Sequence, residues 1–93
     1  MIRLGSPVIR EALLHFGYGH QTFKAIEELS ELQRALAKEA MHEPRAVDNI
    51  VEEIADCLIM LEQLAVIHGQ DRVSTWHRYK LERLERMIIE GKE

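Results

Sequence analysis

Two short acidic segments carry the residue types and spacing most capable of chemistry: Glu27-Glu28-Leu29-Ser30-Glu31 and Glu52-Glu53-Ile54-Ala55-Asp56. On an α-helix, residues three apart are separated by about 60° around the axis and about 4.5 Å along it, so Glu28 projects with Glu31 and Glu53 with Asp56. Each pair borders apolar positions. Antiparallel packing of two such helices through Leu29, Leu32, Ile54 and Leu58 brings the four carboxylates together at the edge of a shared core. That convergence is repulsive by itself, and Glu27 with Glu31 and Glu52 with Asp56 add like-charge pairs costing ~0.2–0.5 kcal/mol each. A divalent cation removes the conflict. Oxygen-only ligands suit a hard ion such as Mg²⁺, which keeps several waters and shares its shell with substrate phosphates; Mn²⁺ is the natural substitute. An ion so held offsets charge on a nucleoside triphosphate and acidifies a water for in-line attack. Glu27 and Glu52 are the outer, proton-accepting candidates.

The competing explanation is a solvated acidic face. With 16 Asp and Glu in the chain, acids three apart arise readily by chance. Both clusters lie mid-helix beside apolar positions, however, where stabilisation by a helix N-terminus does not account for them.

The elements that must position these acids follow from periodicity. Ser6 and Pro7 read as the N-cap and first residue of a short helix running through His15 and stopped at Gly17 and Gly19. A second, from about His20 to Met41, repeats Ala25, Leu29, Leu32, Leu36 and Ala40 and ends before Pro44. A third runs from near Arg45 to His68, with Val47, Ile50, Val51, Ile54, Leu58, Leu61 and Ala65 on one face and Gly69 after it. The fourth, from about Val73 to Glu90, carries Trp76, Leu81, Leu84 and Ile88. No segment alternates with period two, so no strand is expected. The fold expected is all-α: a four-helix bundle with a long antiparallel central hairpin.

A chain of 93 residues fits a single domain spanning 1–93 and leaves much of a long apolar stripe uncovered, so completion as a homo-oligomer, a dimer or tetramer, is expected. The net charge is −4 and the 12 Lys and Arg are scattered, which argues against a nucleic-acid footprint. The N-terminal segment lacks the features of a secretory signal, and no apolar run approaches a membrane span. Cys57 is the single cysteine, ruling out an intrachain disulfide or a Cys-based zinc cluster. These features predict a cytoplasmic protein.

The string QTFKAIEELSELQRAL followed by VEEIADCLIMLEQLA resembles the MazG-like, all-α nucleoside triphosphate pyrophosphohydrolases, whose motif is ExxE, a spacer, then ExxD. Glu28, Glu31, Glu53 and Asp56 match it residue by residue. The similarity spans roughly Gly17 to Gly69 and includes Gln21 and Lys24, which often precede the first motif. The resemblance implies Mg²⁺ held by those four acids, cleavage between the α and β phosphates to give a nucleoside monophosphate and pyrophosphate, oligomeric assembly, and a role in cleansing the nucleotide pool. The chain lacks the duplicated domain of full-length MazG and any obvious second acid pair of the kind found in dimeric deoxyuridine triphosphatases; Glu62 is an unaligned extra.

Lys24, four residues before Glu28, and Lys80 with Arg83, which share a face of the last helix, are the candidate phosphate-binding residues; ordinary surface pairing is their alternative. Trp76 and Tyr18 could stack on a base, but such residues more often serve as a core or interface anchor. The five histidines lack a paired metal spacing, and Cys57 reads as a buried thiol. Two other functions compete: phosphoribosyl-ATP pyrophosphohydrolase, with similar acidic motifs, and a non-catalytic helical interaction module whose acids only solubilise it.

Overall fold

The computed structural model describes residues 7–41 and 46–91. Four helices follow one another: α1 (Pro7–Phe16), α2 (Tyr18–Ala40), α3 (Ala46–His68) and α4 (Gln70–Glu90). No strand occurs among the described residues. The expected cap at Ser6, the stop at Pro44 and the start at Arg45 lie outside them.

Two connections are shorter than expected. A single residue, Gly17, joins α1 to α2, and a single residue, Gly69, joins α3 to α4. The helical hydrogen-bond ladder continues into and out of each: Gly17 N donates to Leu13 O at 2.9 Å and Gln21 N to Gly17 O at 3.1 Å, while Gly69 N donates to Ala65 O at 2.8 Å and Val73 N to Gly69 O at 3.0 Å. What breaks the helix is direction. Gly17 has φ 91° and Gly69 φ 115°, a region that costs an L-side chain dearly and glycine little. Gly19 therefore sits inside α2, and α4 begins at Gln70 rather than Val73.

The hairpin of α2 and α3 is antiparallel. Gln21, near the start of α2, meets Gln63 near the end of α3, and Glu28 meets Cys57 one stretch further in. Its inner face overlaps the expected one only in part, keeping Ala25 and Ala65. Buried positions are Gln21, Ala25, Glu28 and Ala35 on α2 and Cys57, Met60, Gln63 and Ala65 on α3, with Ile9 and Leu13 of α1 closing one end. Leu29 stays 39% exposed and Ile54 43% exposed, so they do not form the shared seam. The reason is steric: the small Ala25, Ala35 and Cys57 let two backbones approach closely, shown by the Cys57 thiol donating to Glu28 O at 3.4 Å. That choice of face turns Glu28 and Glu53 inward and the bulkier Leu29, Leu36, Val51, Ile54 and Leu61 outward. No helix among the described residues is long and apolar enough to cross a membrane.

Candidate metal centre

Midway along the hairpin, α2 contributes Glu27, Glu28 and Glu31 and α3 contributes Glu53 and Asp56. Glu28, Glu53 and Asp56 each present an oxygen within 4.8 Å of the others, and Glu27, Glu28 and Glu31 form a second such group through the shared Glu28. Oxygens on opposite sides of one Mg²⁺ lie about 4 Å apart. The cross-helix trio is thus within a small side-chain adjustment of a common ion.

Burial grades across the site. Glu28 is 9% exposed, Glu31, Glu53 and Asp56 are half-buried, and Glu27 and Glu52 are exposed. The Glu28 carboxylate is divided: Oε1 lies 3.3 Å from Lys24 Nζ, whereas Oε2 is buried without any hydrogen-bond partner. Glu53 Oε2 is buried and unpartnered in the same way. A buried carboxylate oxygen without a partner bears its desolvation cost uncompensated. The donor set therefore fits a hard cation. Glu53 records the conflict in its acidity: burial first, and then the negative charges of Glu31, Glu28 and Asp56, raise its pKa above the ordinary glutamate value.

Lys24 sits at the rim, bonded to Glu27 at 2.9 Å, and the two carboxylates hold its ammonium pKa above the usual value, Glu27 contributing most. Cys57, between the two clusters, is buried as expected, and burial followed by the charges of Glu28, Glu53, Asp56 and Glu31 raises its thiol pKa. It is held in the unreactive thiol form.

The structure adds residues that spacing alone did not single out. Gln63, only 2% exposed, accepts a hydrogen bond from Gln21 Nε2 at 2.7 Å, and His20 Nδ1 lies 2.7 Å from Gln21 Oε1. A glutamine amid Leu61, Leu64 and Ala65 is the signal that could have flagged it. At the C-terminal end of α3, His68, Arg72, Val73, Trp76, His77 and Lys80 line an open concavity of about 520 Å³. Lys80 Nζ lies 5.8 Å from the Trp76 ring centroid, and Tyr79 meets that ring edge-on. His68 is twelve residues past Asp56, or about 18 Å along the axis, so Lys80 occupies a place remote from the acids. Arg83 is exposed one turn further along α4.

No family model matches the chain, and no curated protein or solved structure matches it either.

Proposed function

We propose that the chain is a Mg²⁺-dependent nucleoside triphosphate pyrophosphohydrolase of the MazG-like kind, converting a ribo- or deoxyribonucleoside triphosphate to the monophosphate and pyrophosphate. The observation that carries this reading is the pair of buried, unpartnered oxygens Glu28 Oε2 and Glu53 Oε2, set with Asp56 across two helices. Glu28, Glu31, Glu53 and Asp56 would hold the ion. When bound, Mg²⁺, or Mn²⁺ in its place, supplies charge neutralisation at the phosphates and a more acidic water.

The chain's own groups supply the rest. Water attacks the α phosphorus, the bond from that phosphorus to the bridging oxygen breaks, and the electron pair leaves with pyrophosphate. The proton lost by the water passes to a carboxylate outside the ion's ligand set, Glu27 or Glu52 at the solvent edge. Lys24 at the rim would meet a phosphate oxygen by giving up its bond to Glu27. Lys80 and Arg83 are phosphate ligands in the same reading, on a helix remote from their own chain's acids.

A homo-oligomer in the cytoplasm is part of this proposal. The test is pyrophosphate release with and without Mg²⁺ or Mn²⁺ across canonical, deoxy- and modified nucleoside triphosphates, with phosphoribosyl-ATP in the same panel. Metal-dependent turnover of a triphosphate is expected. Turnover of phosphoribosyl-ATP alone would replace the substrate, and no turnover with any member would leave a helical interaction module.

A further inference from the structure

Cys57 stands on the inner seam of the hairpin opposite Glu28. It is 3% exposed, and its thiol donates to the backbone oxygen of Glu28 at 3.4 Å. It also follows Asp56 directly and lies four residues after Glu53. One small side chain thus touches α2 at a ligand-bearing residue, while its own helix carries the other two acids of the cross-helix trio. A carbonyl held in a helix cannot swing aside as a side chain does, and an overfilled interior yields by moving backbone. The size of the residue at position 57 therefore governs how far Glu28 stands from Glu53 and Asp56.

The choice of cation is sensitive to that distance. Mg²⁺ holds oxygens at about 2.1 Å in a near-ideal octahedron, whereas Ca²⁺ holds them at about 2.3–2.6 Å in a flexible shell. Oxygens on opposite sides of the ion thus stand about 4 Å apart for Mg²⁺ and about 5 Å apart for Ca²⁺. In this site the oxygens of Glu28, Glu53 and Asp56 lie within 4.8 Å of one another, a span that a small change in helix spacing shifts toward either ion. The side chains have little slack to absorb such a change. Asp56 is short, and Glu28 is 9% exposed, with Oε1 3.3 Å from Lys24 Nζ and Oε2 buried without a partner.

We propose that Cys57 is a positioning residue whose size sets which cation the site prefers: its small bulk holds α2 and α3 at the spacing suited to Mg²⁺, and a larger residue there opens the site toward Ca²⁺. The inference rests on the metal centre proposed above and adds to it the residue that selects among ions. Cys57 is not itself a ligand, since its thiol is turned to the Glu28 carbonyl and belongs to neither carboxylate group.

The experiment is calorimetric titration of the full chain, free of metal and nucleotide, with Mg²⁺ and with Ca²⁺. It compares wild type, Cys57→Ala, Cys57→Ser, Cys57→Val and Cys57→Leu, with helicity followed by circular dichroism. Mg²⁺ affinity should fall several-fold in Cys57→Val and about 10-fold or more in Cys57→Leu, while Ca²⁺ affinity holds or rises. Cys57→Ala and Cys57→Ser, which add no bulk, should stay close to wild type for both ions. A ratio of Mg²⁺ to Ca²⁺ affinity that stays constant through Cys57→Val and Cys57→Leu overturns the proposal, as does an equal loss of both ions. So does a loss in Cys57→Ala that matches Cys57→Leu, which would assign the effect to the thiol's hydrogen bond rather than to its size. If Cys57→Leu loses helicity, Cys57→Val decides the comparison. Glu53→Gln, expected to lose both cations, separates this inference from the one beneath it. Should wild type bind neither ion, or Glu53→Gln bind as wild type does, the metal centre fails and the spacer with it; should Glu53→Gln lose both ions while the ratio stays flat across the Cys57 series, the spacer alone fails.

Discussion

Gln21 Nε2 donates to Gln63 Oε1 at 2.7 Å in the interior of the hairpin, joining residues 42 positions apart in sequence. A buried amide pair specifies register: sliding one helix along the other leaves both amides without partners. Replacing Gln63 by Met preserves volume but strands the Gln21 donor, so stability should fall by about 1–3 kcal/mol. Replacing both glutamines by Met should recover much of the loss. Urea denaturation of the two single variants and the double variant measures the coupling; additive losses would show that the pair contributes nothing as a pair.

The Glu53→Gln substitution tests the metal centre. It keeps the size of the side chain and removes one charged oxygen donor. Hydrolysis should fall by about 100-fold or more. Metal-free Tm should hold or rise slightly, because a member of a repelling cluster has gone. Full turnover in the variant would remove Glu53 from the site.

Glu53 also sets a pH dependence for the metal-free protein. Its folded pKa is raised above the ordinary value of 4.5, so the folded state binds the proton more tightly than the unfolded chain. The stability this contributes is fully present below pH 4.5 and is lost as pH rises through the elevated folded pKa. Wild type should therefore lose more Tm than Glu53→Gln across that window, and saturating Mg²⁺ should abolish the difference. Parallel Tm profiles for the two proteins without metal would contradict this.

Lys80 and Arg83 are expected to act on substrate rather than on the fold. Both are exposed, Lys80 with its ammonium 5.8 Å from the Trp76 ring centroid, and Met reproduces part of each aliphatic stem without the charge. Lys80→Met and Arg83→Met should each raise KM several-fold with little change in Tm. Equal losses of stability and activity would make them structural.

Much of this could be read from residue spacing, and the exceptions share a cause. The four helices, the absence of strands among the described residues, the antiparallel hairpin and the cross-helix meeting of Glu28, Glu53 and Asp56 follow from period and position. The inner face of the hairpin does not. Both long helices have two usable faces, one bulky and apolar, the other small and acidic, and hydrophobic periodicity favours the first. Close approach through Ala25, Ala35 and Cys57 selects the second, a choice that depends on inter-helix distance and is invisible in either helix alone. The turns at Gly17 and Gly69 escape for a related reason. A glycine marks the end of a helix, but whether the next begins at once depends on hydrogen bonds such as Val73 N to Gly69 O.

The one-residue link at Gly69 makes chain length at a single point decide whether α4 can fold back along α3. With it, α4 has no return path onto its own α3, and Leu81, Leu84 and Ile88 stay exposed. A few flexible residues inserted there would offer α4 its own α3 at the millimolar effective concentration of a short tether, far above any cellular protein level. The same four helices would then close on themselves. The exposure of α4 in the single chain is thus set less by its own residues than by the length of that link.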